Sequence, residues 1–267
     1  MRHCLITGGS SGIGFALARL LLAQGNNVSL VARDWQKLEA AKRNLALQAD
    51  DAQRVHIASA DVVDEASLRD AFSACEEAFG PVETVIASAG IVTPQLFAEQ
   101  DAAQFNRQVA VNLIGVANTM ILALPAMRAA GRGRVLIIAS GAGLVSIPGY
   151  SAYCASKAAL RSFATSLRLE NKRDGIEVCS CFPPDTTTPQ LMEELTVRPV
   201  EAHRFIGQHE PWAVDLVAKR ILSGMTKGRS EIHFGLMLSV LAFCEPILRP
   251  LVHFAYFRRA PKKSRDG

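Results

Sequence analysis

The stretch Thr7-Gly-Gly-Ser-Ser-Gly-Ile-Gly14 decides the fold of this chain. Before it, His3-Cys4-Leu5-Ile6 is a short apolar run of strand character. After it, Phe15, Leu17, Ala18, Leu20, Leu21 and Leu22 recur with helical spacing. Strand, glycine turn and helix in that order suit the cradling of a nucleotide, the alternative being an ordinary glycine-rich turn. Glycine lets the backbone turn tightly and come close to a ligand, and a helix N-terminus attracts negative charge through its dipole. The group predicted to lie against Gly8, Ser10, Ser11, Gly12, Ile13 and Gly14 is the pyrophosphate of a dinucleotide.

Working outward, apolar strand-like runs near residues 3–7, 27–32, 54–59, 82–87, 134–140, 176–182 and 231–234 alternate with helical segments near 13–25, 34–49, 65–79, 103–130, 152–173 and 212–226. Such alternation predicts an α/β fold: a single Rossmann-type doubly wound parallel sheet with helices on both faces. The chain has 267 residues, 49% hydrophobic and 20% charged, which suits one such domain with a sizeable core. Residues 1–233 are predicted to be this catalytic domain, and 234–267 an apolar C-terminal segment with a basic tail. Sheets of this type bind ligands beyond the carboxyl ends of their strands, and Thr7, Arg33, Asp61, Ala89, Ser140 and Pro183 all stand at such ends.

A second signal is Tyr150-Ser-Ala-Tyr-Cys-Ala-Ser-Lys157. On a helix, positions 153 and 157 lie side by side. An ammonium next to a phenol favours the phenolate and is expected to pull its pKa below ~10. Tyr153 and Lys157 can then pass a proton to or from an alcohol, beside a hydride carrier held at the glycine turn.

The glycine spacing, with Tyr-x3-Lys far downstream, resembles the short-chain dehydrogenase/reductase family from residue 1 to about residue 190. The resemblance implies a catalytic tetrad of Asn112, Ser140, Tyr153 and Lys157. In it Ser140 holds the carbonyl oxygen, Tyr153 gives the proton, Lys157 lowers the phenol's pKa and bonds the nicotinamide ribose, and Asn112 holds a water of a proton relay. It also implies that Asp61 and Val62 contact the adenine ring, and that Ala89 and Gly90 pass beside the cofactor. Ala87-Ser88 stands where that family usually has two asparagines.

After the second strand, Ala32 takes the place of the acid that would bond the ribose hydroxyls, and Arg33 follows it. An arginine attracts a 2′-phosphate, so NADPH is favoured over NADH. The alternative makes Asp34 the ribose ligand and Arg33 a surface charge.

Cys181-Phe-Pro-Pro-Asp-Thr-Thr-Thr-Pro-Gln190 and Val31-Ala-Arg-x-x-x-Lys-Leu38 are similar to the 3-ketodihydrosphingosine reductases in particular. That likeness places Pro183 and Thr186 or Thr188 at the nicotinamide carboxamide. It implies NADPH-dependent reduction of a long-chain 3-keto lipid, most specifically 3-ketodihydrosphingosine to dihydrosphingosine. The alternatives are another ketone (a 3-oxoacyl thioester, a steroid or a xenobiotic carbonyl) and a non-catalytic nucleotide-sensing protein.

Phe234 to Cys244 is uncharged, Glu245-Pro246 interrupts it, and Ile247 to Phe257 resumes it ahead of Arg258-Arg-Ala-Pro-Lys-Lys-Ser-Arg265. Neither half reaches the ~20 residues that span a bilayer, so residues 234–265 are expected to contact a membrane surface as a peripheral or monotopic element on the cytoplasmic side. The alternatives are a subunit interface in a homo-oligomer and closure of the substrate cleft. A formal charge of +4 is too mild to imply nucleic acid. Six cysteines in no paired framework suit a reducing compartment, and the six histidines show no metal-ligand spacing, so no metal is implied.

Overall fold

The computed structural model describes residues 2–49, 54–207, 209–244 and 250. The seven strands are β1 (His3–Thr7), β2 (Asn27–Ala32), β3 (Val55–Ser59), β4 (Thr84–Ala87), β5 (Gly133–Ile138), β6 (Ile176–Phe182) and β7 (Glu231–His233). They form one sheet in the order β3-β2-β1-β4-β5-β6-β7, and every neighbouring pair is parallel. A parallel sheet is covered on both faces, so its inner strands read as near-continuous apolar runs. All residues of β1 and of β4 are accordingly buried.

The helices are α1 (Gly12–Ala23), α2 (Trp35–Ala49), α3 (Glu65–Phe79), α4 (Ala102–Val109), α5 (Gly115–Ala130), α6 (Ser151–Asn171), α7 (Pro189–Val197), α8 (Val200–Ile206) and α9 (Val214–Thr226). A further helix, α10, spans Gly235–Cys244. Helix α1 packs on α2 and α9, while α3 packs on α5 and α4 on α6, giving the two outer layers. Their starts follow local chemistry. Asp64 caps α3 by accepting from the amides of Ala66 and Ser67, and Asp101 caps α4 by accepting from Gln104.

The helix predicted over 103–130 is interrupted: Ala110–Ile114 is a π-helical turn between α4 and α5. The wider turn adds a residue per loop of helix and re-aims its neighbours, a frequent device at functional sites. Among the described residues, the stretch Ala102–Ala130 is the one helix long and apolar enough to cross a bilayer by length and composition. It packs on α3, β4, β5 and α6 and belongs to the protein core.

Strand order reverses between β1 and β4, which opens a crevice above their carboxyl ends. The glycine turn lies in that crevice. Gly8 has φ of 68°, and a Cβ there would stand 2.6 Å from the backbone N of Ala89. A Cβ on Gly14 would stand 2.5 Å from the Gly8 carbonyl oxygen. These two positions let α1 begin directly against the end of β1.

Helix α10 continues the core: Phe234, Leu238 and Ala242 are buried in the same cluster as the sheet. Arg161 of α6 forms a two-pronged pair with Glu231 of β7 at 3.0 Å and also donates to the Ala242 carbonyl at 3.2 Å, near the end of α10. Residues 245–249 and 251–267, which hold the second apolar run and the basic tail, lie outside the described residues.

Candidate active site

A cleft of about 1390 Å³ runs from the glycine turn to α10. Of the residues singled out in the sequence, Gly8, Ser10, Ser11, Gly12, Ile13, Arg33, Asp61, Val62, Ala89, Gly90, Ser140, Tyr153, Lys157, Pro183, Thr186 and Thr188 all line it. Gly14 and Asn112 stand behind its wall. Gly14 packs against the Gly8 carbonyl. Asn112, fully buried in the π-helical turn, accepts from the Ile91 amide at 2.8 Å and donates to the Ile91 carbonyl at 2.9 Å and to Ser156 Oγ at 3.1 Å. This side chain braces the loop after β4, and Gln108 does the same at Thr93.

Lys157 and Asn112 meet at Gly90, where a Cβ would lie 3.3 Å from Lys157 Nζ and 3.3 Å from Asn112 Oδ1. Lys157 is 5% exposed and donates to the Ile138 carbonyl at 3.0 Å. Burial brings its pKa down to about 8, with Cys181 opposing. The Tyr153 phenol was expected to be acidified, and here the structure differs. Burial pushes its pKa above the ordinary value, Ser140 opposes by a hydrogen bond, and Glu194 and Asp185 push it further up. Desolvation is the largest contribution, and the ammonium sits 5.7 Å from the centre of the ring. Burial thus favours the neutral form of the Tyr153 phenol, the form able to donate a proton.

At the opposite end, Arg33 is exposed just beyond β2, and Lys37 lies one helical turn further on; both line the cleft. Asp34, the rival ribose ligand, accepts from the Lys37 amide at 3.0 Å in the first turn of α2. That leaves Arg33 and Lys37 as the cations at this end. Burial would raise the pKa of Asp61, but Arg107 at 2.7 Å and the Val63 amide overcome it and hold the carboxylate below its ordinary value. Thr188 caps α7 by accepting from Leu191, and its methyl side lies over Gly12; Thr186 donates to the Pro184 carbonyl at 2.8 Å.

Two features of the cleft escaped the sequence reading. One is Lys37, visible only as part of a family-like pattern. The other is a polar cluster beside Tyr153. The Tyr150 hydroxyl donates to Glu194 Oε1 at 2.6 Å and accepts from Arg198 Nε at 2.9 Å, and Arg198 Nη2 also reaches Glu194 Oε1 at 2.5 Å and Asp185 Oδ2 at 2.9 Å. Its members come from the start of α6, the loop after β6, and α7 and its end, so no local spacing announces it. The roof of the cleft is apolar: Phe205, Ile206, Trp212, Phe234, Leu238 and Leu241 face it.

The residues present fit a phosphorylated dinucleotide: a glycine turn opens helix α1, and Arg33 and Lys37 line the same cleft beyond the end of β2. Comparison with known proteins agrees. The family pattern described as short chain dehydrogenase matches residues 2–197. The chain is 38% identical to 3-dehydrosphinganine reductase TSC10B of Arabidopsis thaliana, over 90% of this chain and 72% of that protein. It is 33% identical to 3-dehydrosphinganine reductase of Danio rerio, over 90% of this chain and 74% of that protein. Among solved structures, it superposes on an alcohol dehydrogenase from the archaeon Thermococcus sibiricus complexed with 5-hydroxy-NADP, with a TM-score of 0.75 and 25% identity, over 88% of this chain and 96% of that one.

Proposed function

The chain belongs to the short-chain dehydrogenase family and is an oxidoreductase, and we propose that it uses NADPH to reduce the 3-keto group of 3-ketodihydrosphingosine, giving dihydrosphingosine. The carrying observation is the convergence of Ser140, Tyr153 and Lys157 with Arg33 and Lys37 on one cleft whose roof is apolar. The similarity to 3-dehydrosphinganine reductases over most of the chain supports the choice of lipid.

Residues 8 to 13 would hold the pyrophosphate, Arg33 and Lys37 the 2′-phosphate, Asp61 and Val62 the adenine, and Lys157 the nicotinamide ribose. Bound there, the cofactor supplies the hydride that adds to the carbonyl carbon. The chain does the rest. Ser140 donates a hydrogen bond to the ketone oxygen, and Tyr153 passes its proton to that oxygen as negative charge grows on it. Lys157 keeps a positive charge beneath the phenol. Donors fixed before reaction need no reorganisation when the charge appears, and this is their catalytic worth.

The second half of the reading concerns how a lipid reaches Tyr153. Helix α10 places Leu238 and Ala242 in the core yet leaves Leu236 82% and Phe243 77% exposed, with Met237 also outward. An apolar outer face next to the cleft supports a peripheral contact with the bilayer, through which a long-chain ketone enters.

The test is NADPH consumption with 3-ketodihydrosphingosine in mixed micelles against short ketones and 3-oxoacyl thioesters. A large preference for the sphingoid ketone is expected. Equal or better turnover of the short ketones would overturn the substrate assignment.

A further inference from the structure

We propose that Glu194, with Asp185 beside it, recognises a cationic amino group carried on the carbon next to the substrate's ketone. This rests on the reading of the cleft as that of a sphingoid ketone reductase and deepens it by naming the residues that would select the amine.

The excess of negative charge lies at the substrate end of the cleft. Its cofactor end carries Arg33 and Lys37 with Asp34 and Asp61, whereas its substrate end carries Asp185, Glu193, Glu194 and Glu210 against Arg198. At the heart of that end, two carboxylates share one guanidinium, and the Tyr150 hydroxyl, raised far above its ordinary pKa first by burial and then by Glu194, adds no charge. The Glu194 side chain is only 10% exposed and that of Arg198 only 4%. Among the described residues, Glu194 Oε2 and Asp185 Oδ1 accept no hydrogen bond. Glu194 is buried with Arg198 while the Asp185 side chain is 38% exposed, so the three carry a net charge of −1 with acceptors on the wall of the cleft, and carboxylates so placed attract a cation.

The position is also telling. The Tyr150 and Tyr153 rings are 6.2 Å apart, and both Glu194 and Asp185 act on the Tyr153 phenol. A ketone held at Tyr153 brings an amino group on its neighbouring carbon into the field of these carboxylates. An ammonium there would complete the cluster. It would also offset the negative charge that hinders the phenol's ionisation, so that the amine of the substrate makes Tyr153 a readier proton donor. A 3-oxoacyl thioester or a steroid has no group to do either.

The experiment compares kcat/KM for 3-ketodihydrosphingosine with that for the same chain lacking the amino group, in the wild type, Glu194→Gln and Asp185→Asn. Glutamine keeps the shape and the acceptor for Arg198, and removes the charge. The wild type is expected to prefer the amino ketone by at least on the order of tenfold, and Glu194→Gln to shrink that ratio by on the order of ten- to a hundredfold. Asp185→Asn should shrink it less. A ratio unchanged in both variants, or a wild type with no preference, overturns the proposal.

A binding arm separates the two levels of the reading. Dihydrosphingosine and its des-amino counterpart are titrated against the fluorescence of Trp212, which lines the cleft. If the wild type reduces neither ketone, the reductase reading fails, and tighter binding of the amine that depends on Glu194 still upholds the site. Equal binding of the two sinks it. Should Glu194→Gln not fold, as judged by its melting curve, Asp185→Asn carries the same comparison.

Discussion

Lys157 should make the stability of this protein depend on pH in an unusual direction. Its ammonium is 5% exposed and has one protein acceptor, the Ile138 carbonyl, and burial takes its pKa from an ordinary 10.5 to about 8. Each pH unit of that gap is worth about 1.4 kcal/mol, so folding the charged form costs about 3 kcal/mol. The folded pKa lies below the unfolded one. Below pH 8 both states hold the proton and the cost is fully present. Between about 8 and 10.5 the unfolded chain still binds the proton and the folded chain has released it, so stability rises with pH. In Lys157→Met the side chain keeps its length and cannot titrate. Urea unfolding followed by circular dichroism at pH 7 and 9.5 should show the wild type gaining about 2 kcal/mol on the variant, with other titrating groups cancelling in the difference. Curves that stay parallel within about 0.5 kcal/mol would refute a buried, depressed lysine. The same proton should show in kinetics: kcat/KM for NADPH, which reports the free enzyme, should fall as pH rises through about 8.

Other outcomes follow from the same geometry. Tyr153→Phe should lower turnover by about 10²–10⁴, the usual worth of general acid catalysis, while NADPH still raises the melting temperature; near-normal turnover would remove the phenol from the reaction. Arg33→Ala should raise KM for NADPH about tenfold and leave KM for NADH nearly unchanged, and the effect should shrink at high salt because the side chain is exposed. An unaltered preference between the two cofactors would return the discriminating role to another residue. Gly14→Ala places a Cβ 2.5 Å from the Gly8 carbonyl oxygen, so it should destabilise the fold by about 1–3 kcal/mol and abolish the thermal shift on adding NADPH. Phe243→Asp should weaken co-sedimentation with anionic vesicles without changing the reduction of a water-soluble ketone; unchanged sedimentation would argue against α10 as the membrane-facing element.

The glycine turn and the Tyr153-x3-Lys157 pair were legible because each is a local spacing with a local cause: backbone crowding at Gly8 and Gly14, and one turn of α6. The seven strands were legible for a similar reason, since a sheet covered on both faces demands continuous apolar runs. What could not be read depends on distance in the sequence. The π-helical turn at Ala110–Ile114 has no residue signature, yet it sets Asn112 against Ile91. The acidification expected of Tyr153 followed from its neighbour four residues away, whereas its actual state follows from burial among Ala142, Tyr150, Cys154 and, from α8, Ala202 and Ile206. A cation one turn away is a sequence fact; the dielectric around both is a tertiary one. Asp185, Glu194 and Arg198 lie in a part of the chain whose elements are short and whose only local rule is the cap at Thr188. There the fold gathers Asp185, Glu194 and Arg198 around the Tyr150 hydroxyl, next to a phenol whose ionisation the two carboxylates disfavour, and a substrate cation would offset them. The glycine turn and the Tyr153–Lys157 pair are thus written in local motifs, while the cluster of Asp185, Glu194 and Arg198 beside them exists only once the chain has folded.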